Sequence, residues 1–169
     1  MRPEPGSYPA YYDHYIPLVK EENILDALRA SALTVVQAIE QIPPEKENFS
    51  YAEGKWTSKQ VVSHIIDTER ILCYRALRFA RKDPQQPLPF SEDDYAANAG
   101  LSHRSVHDLL EEFESVRTAT QTLFKSFSAE SLLFPGNTAI GQTTPLAIGF
   151  MICGHGQHHI NVLKSRYLK

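Results

Sequence analysis

Three histidines carry the strongest chemical signal in the sequence. His155 and His159 lie four residues apart in FMICGHGQHHINVLKSRYL, a spacing that on a helix stacks both imidazoles on one face, one turn apart. His64 stands alone in WTSKQVVSHIIDTERILCYRALRF, on the helical stripe that also carries Val61 and Leu72. A histidine on an apolar stripe needs a polar partner once buried, and many such residues are simply hydrogen-bonded core side chains. A divalent metal shared by all three would satisfy them together. Three neutral nitrogen ligands would leave a coordination position open, which is the arrangement of a catalytic rather than a structural site. Gly156 follows His155, so the H-E-x-x-H pattern of zinc peptidases is absent.

An open site of this kind supports two chemistries. It can lower the pKa of a bound water toward ~7 and act as a hydrolase. It can instead bind a thiol as the thiolate and deliver it to an electrophile. A third reading is a non-catalytic bundle in which the ion only staples helices. Zinc is the default ion for three imidazoles, and nickel suits the same donors. No residue of the sequence stands out as a catalytic acid, base or nucleophile. Asp67, one turn beyond His64, could orient a ligand, bind solvent or pair with Arg70; Glu69 lies close by. His158 faces about 100° away from its neighbour His159 and reads as a rim residue. His14, His103 and His107 read as surface residues.

Composition narrows the remaining possibilities. Hydrophobic residues make up 42% of the 169 residues and charged residues 22%, as in ordinary globular domains. A net charge of -3 gives no footprint for nucleic acid, and Arg75, Arg78, Arg81 and Lys82 read as a solvated helix face. No apolar run reaches the ~18–20 residues of a membrane span, and MRPEPGSYPAYY is no signal peptide. Cys73 and Cys153, without a secretory signal, read as free thiols of a cytoplasmic protein. Cys153 points about 200° from His155, so it is expected to pack rather than to ligate.

Four helices must position the histidines. Ile24, Leu25, Leu28, Ala32, Val35, Val36 and Ile39 repeat with helical period, predicting a first helix from about Leu18 to Ile42, stopped by Pro43-Pro44. Thr57 with Gln60 forms a capping box, and Trp56 with Val61 a hydrophobic staple, opening a second helix over 58–81. The prolines of KDPQQPLP end it. Residues 83–102 form a long connection with a short helix near 92–98. Ser102 is expected to cap a third helix, 103–126. LLFPGNTAIGQTT predicts a small hairpin or loop. Thr144 caps a fourth helix with Pro145 at its first position, running to about Tyr167 with Ile148, Ile152, His155, His159 and Val162 on its seam. These elements predict an all-α four-helix bundle in one domain spanning 1–169, with 1–16 as an extended arm laid over it through Tyr11, Tyr12 and Tyr15. The 83–102 connection is long enough to be a crossover. The loops at 83–102 and 127–143 are the expected walls of a substrate pocket.

WTSKQVVSHIIDTE, followed ~90 residues later by GHGQHHINVL, resembles the DinB superfamily and, within it, the YfiT-like metal-dependent group. The resemblance spans about residues 17–168. It implies a four-helix bundle and a divalent metal held by three histidines, at the positions of His64, His155 and His159 here. It also implies a small-molecule substrate and a homodimer. Members of the family include S-transferases that use low-molecular-weight thiols such as bacillithiol, and a related mycothiol-dependent isomerase. On this ground the expected activity is metal-dependent transfer of a low-molecular-weight thiol to a small electrophile.

Overall fold

Each long helix begins at a side chain that satisfies its unpaired backbone N–H groups. In the computed structural model, which describes residues 1–169, Asn23 accepts from the Leu25 amide at the start of α1 (Ile24–Glu40). The Thr57–Gln60 capping box opens α2 (Ser58–Ala80). Ser91 caps the short α3 (Glu92–Ala97). Ser105 and Asp108 form a second capping box at α4 (Val106–Lys125). The one-turn α5 spans Ala129–Leu133. Strands β1 (Gly136–Thr138) and β2 (Gly141–Thr143) make an antiparallel hairpin with Asn137 opposite Gln142. Thr144 then caps α6 (Pro145–Val162), which passes into a wider π turn over Leu163–Tyr167.

Two expected starts move. The first helix begins at Ile24 rather than near Leu18, because Ile16–Leu18 winds into a separate 3-10 turn and Asn23 supplies the cap. The third begins at Val106, since Ser102 lies inside another 3-10 turn and only Ser105 has an acid three residues on. The N-terminal segment does lie over the helices, but it is not extended throughout. Ala10–His14 coils into a 3-10 helix that buries Tyr12, while Tyr11 stays exposed.

The four long helices form an all-α bundle. Its packed neighbours are α1 with α4 and α6, and α2 with α4 and α6. Side-chain pairings give the directions. Gly149 and Gly156 of α6 face Ile24 and Val35 of α1, so those two run parallel. Lys59 reaches the Arg104 carbonyl, and Cys73 meets Thr120, so α2 and the α4 region also run parallel. His64 near the start of α2 meets His155 late in α6, so that pair is antiparallel. The chain is therefore up, down, down, up. Two parallel neighbours cannot be joined by a tight turn. After α2, about 35 Å long at 1.5 Å per residue, residues 81–105 must travel back along it, and they do. Arg75 donates to the Leu88 carbonyl, Gln60 to Ala96 and Lys59 to Leu101. The expected crossover is thus a geometric necessity, and it carries α3 alongside the first turns of α2.

The apolar core is cut in two. One cluster joins Tyr12, Tyr15 and Ile16 to Leu28, Phe79, Phe124 and the Leu146–Cys153 stretch. The other joins Val35, Ile39, Val61, Ile65, Phe113 and Ile160. Between them lies a polar layer at the mid-height of the bundle. Arg117 donates through Nε and Nη2 to the two oxygens of Glu69, each at 2.8 Å, and through Nη1 to the Leu28 carbonyl at 3.1 Å. Thr120 donates to Glu69 at 2.7 Å. Arg117 and Glu69 are both 2% exposed.

Candidate metal centre

Helix α6 is enclosed along most of its length, with every residue from Pro145 to Gly156 buried, and its composition follows from that. A Cβ at Gly154 would overlap the Tyr15 backbone, so the glycine lets the N-terminal segment press onto the helix beside His155. Gly156 meets Val35 on the α1 side. His155 is thus held between two close-packed neighbours in the interior, and His159 follows one turn later toward the surface.

The structure brings the three predicted residues together. The His155 Nε2 atom is 3.0 Å from His64 Nε2 and 3.1 Å from His159 Nε2. All three ligand atoms lie within 4.8 Å of one another. One ring nitrogen carries either one hydrogen or one lone pair, so hydrogen bonding can satisfy at most one of the two contacts of His155. An ion between the rings satisfies all of them. Zinc–nitrogen bonds of ~2.0–2.1 Å place neighbouring nitrogens roughly 3–3.5 Å apart, so the donor set and its spacing fit a divalent metal. With the lone pair of His64 on Nε2, its hydrogen sits on Nδ1 and points to Thr68 Oγ1 at 3.4 Å. Such a partner fixes the tautomer and orients the ring. Thr68 lies one turn beyond His64, a spacing readable in sequence once His64 is taken as a ligand.

Burial keeps the three rings neutral, the form a metal needs. It drives His64 down to about 4, with the charge of Asp93 opposing. Burial, then His64 and His158, lower His159 to about 3. Burial, then His159 and His64, hold His155 well below its ordinary value of 6.5. The stability consequence has a definite sign. Between pH 6.5 and about 4 the unfolded chain takes up protons at these positions and the folded chain does not, so stability must fall with falling pH. Urea unfolding of metal-free protein should show that decline across this window, and the slope should be shallower in His64→Gln. An unchanged slope would mean that the rings titrate normally.

Aromatic residues wall the site. The Trp56 ring lies 4.7 Å from that of His64, and the Tyr15 ring 5.7 Å from that of His155. The Trp56 indole N–H donates to Asp93 Oδ1 at 3.1 Å. A cavity of about 400 Å³ adjoins His159, lined among others by Tyr51, Lys55, Trp56, Asp93, His158 and Tyr167. Its walls differ from those expected. The 83–102 connection contributes Asp93, but the 127–143 segment contributes nothing. Thr138–Ile140 instead line a separate cavity with Tyr11, Arg75 and Phe90. The main wall comes from 51–56 and the last turns of α6, with Tyr167 of the π turn beyond them. Asp93 and Trp56 are the residues that sequence reasoning missed. Only the return path of 81–105 brings the carboxylate there.

The other candidates fall into place. Asp67 lies 3.7 Å from Arg70, and burial raises its carboxyl; Thr68, not Asp67, faces His64. Glu69 turns away to Arg117. His158 is half-buried, edge-on to Tyr15, and lines the cavity. His14, His103 and His107 are exposed. Cys73 and Cys153 are unbridged thiols, each pushed up to about 12 by burial, which makes them poor nucleophiles.

The family model of the DinB superfamily matches residues 25–163, which contain all three histidines and, but for the first residue of α1, all four long helices. The chain belongs to the DinB superfamily. Other comparisons agree with this membership. A protein of Geobacillus thermodenitrificans, provisionally named a metal-dependent hydrolase, is 28% identical over 144 residues, covering 83% of this chain and 76% of the relative. Among solved structures, YfiT from Bacillus subtilis superposes with a TM-score of 0.76 at 15% identity, covering 98% of this chain and 90% of YfiT. It is described as a provisional metal-dependent hydrolase with an unusual four-helix bundle topology, and the up, down, down, up order found here has the same fold. A mycothiol-dependent maleylpyruvate isomerase superposes with a TM-score of 0.69 at 16% identity, covering 87% of this chain and 62% of the isomerase. No helix of this DinB protein is long and apolar enough to cross a membrane.

Proposed function

We propose that His64, His155 and His159 hold one divalent metal ion, zinc or nickel, and that the protein transfers a low-molecular-weight thiol to a small electrophile. The observation that carries this reading is the convergence of three imidazole nitrogens, with no carboxylate among them, beside a cavity of small-molecule size. When bound, the ion would favour thiolate over thiol at neutral pH. The rest falls to the chain itself. Burial supplies the imidazoles in neutral form, Thr68 orients His64, and Trp56 and Tyr15 shield the rings from bulk water.

Hydrolysis is the second reading, favoured by the names that the Geobacillus and Bacillus relatives carry. The two separate in one assay. Metal-loaded and chelated protein are incubated with a generic electrophile, with an ester, and with or without a panel of thiols, and products are identified by mass spectrometry. Thiol conjugate formed only with metal present is the expected result. Metal-dependent cleavage of the ester with no thiol requirement would overturn it in favour of the hydrolase. Absence of any turnover would leave a metal-binding bundle.

A further inference from the structure

A second cavity, of about 280 Å³, flanks the start of α3. Glu92 lines it, while the next residue, Asp93, lines the cavity beside His159. Tyr11 links it to the metal ligands, since the Tyr11 hydroxyl lies 2.9 Å from that of Tyr15 and the Tyr15 ring packs on His155. Its walls are apolar and stiff. Pro87, Pro89 and Phe90 come from the return segment, and Ile140 from the hairpin turn. The prolines fix the backbone, and Tyr95 braces the Phe90 ring edge-on at 5.1 Å. Arg75 and Glu92 also line this cavity, yet neither takes part in a salt bridge. Arg75 is partly buried, and its one hydrogen bond runs from Nη2 to the Leu88 carbonyl at 3.0 Å. It stands about 16 Å beyond His64 along α2, at 1.5 Å per residue. Glu92 marks the Tyr15 end, where its charge is felt by the Tyr15 hydroxyl.

Resting on the reading of the three histidines as the metal centre of an enzyme, we infer that this second cavity is the subsite for the electrophilic substrate, and that it selects an aromatic monoanion. The ring lies against Phe90 and the prolines, the carboxylate meets the Arg75 guanidinium, and the uncharged, reactive end points toward Tyr11. The length of α2 between His64 and Arg75 keeps the carboxylate off the ion. A second carboxylate at the reactive end meets Glu92 and is rejected.

The test is calorimetric titration at neutral pH of metal-loaded and chelated protein with 3-phenylpropanoate, 3-phenylpropanamide and 3-(4-carboxyphenyl)propanoate. The monoacid should bind roughly tenfold or more tightly than the amide, the worth of one charged hydrogen bond, and equally well with and without metal. Arg75→Gln should abolish that preference. The diacid should bind poorly, and Glu92→Gln should bring it close to the monoacid. Circular dichroism confirms that both variants are folded. Equal affinity for acid and amide, no binding, or a preference unchanged in Arg75→Gln would overturn the inference. Binding only to metal-loaded protein would place the carboxylate on the ion and overturn it equally. In the transfer assay the monoacid should compete with the electrophile and not with the thiol; inhibition competitive with neither would detach the cavity from the reaction. Absence of turnover would overturn the proposed function, while the binding result, which needs no metal, would still stand.

Discussion

Replacement of His155 by alanine should abolish metal binding and activity and still leave a folded bundle. The Nε2 atom of His155 contacts both other rings, so its loss leaves two nitrogens that no longer share a third partner. Metal binding free energies of ~10–16 kcal/mol over four ligands amount to roughly 2.5–4 kcal/mol for each, so affinity should fall by about 10²–10³-fold. The fold does not depend on that energy, because two apolar clusters span the four helices above and below the site. The metal-free variant should therefore retain its helical circular dichroism and unfold cooperatively in urea, while elemental analysis finds no bound zinc or nickel. Full metal occupancy in the variant would remove His155 from the ligand set. Unfolding of the metal-free wild type under native conditions would make the ion a structural staple.

The second large effect is one of stability alone. Arg117→Met should cost about 3–5 kcal/mol, because it leaves the Glu69 carboxylate buried without its cation. Joining Glu69→Leu to Arg117→Met should recover most of that loss, since apolar side chains of similar volume can replace a buried ion pair at little net cost. Urea denaturation of the single and double variants at neutral pH measures the difference directly. A double variant as unstable as the single one would show that Thr120 and the Leu28 carbonyl, which share the network, depend on the charges themselves.

The histidine site was legible because it obeys local rules. The spacing from His155 to His159 is one helical turn, the Thr57–Gln60 box marks the start of α2, and the apolar seam of α6 points both rings inward. The bundle was legible for the same reason, since four amphipathic periods separated by prolines and hairpin chemistry leave few alternatives. What could not be read depends on contacts between distant segments. Arg117 sits among polar neighbours in SVRTATQ and looks solvated until α4 is set against Glu69. Asp93 reaches the site only because α2 and α4 are parallel and the chain must return along the bundle. The cavity wall at 51–56, 158–162 and Tyr167 forms because the start of α2 meets the end of α6, a pairing fixed by the antiparallel packing of those helices. Ser102 and Ser105 are equivalent as caps by residue type, and the acid at Asp108 decides between them.

The polar layer at mid-height also constrains how the chain finds its structure. Leucine-rich seams tolerate sliding, and a helix displaced by one turn, ~5.4 Å, can still bury much of its apolar stripe. Such a slip of α4 would carry Arg117 away from Glu69 and leave an isolated charge inside the protein, a penalty that no apolar repacking offsets. The pair therefore discriminates among helical alignments that the apolar clusters alone would rank as near equals. Its location sets where that selectivity is spent: α2 carries Glu69 little more than one turn beyond His64. Alignment of α4 against α2 and α1 and the height of His64 between them are thus set by the same pair.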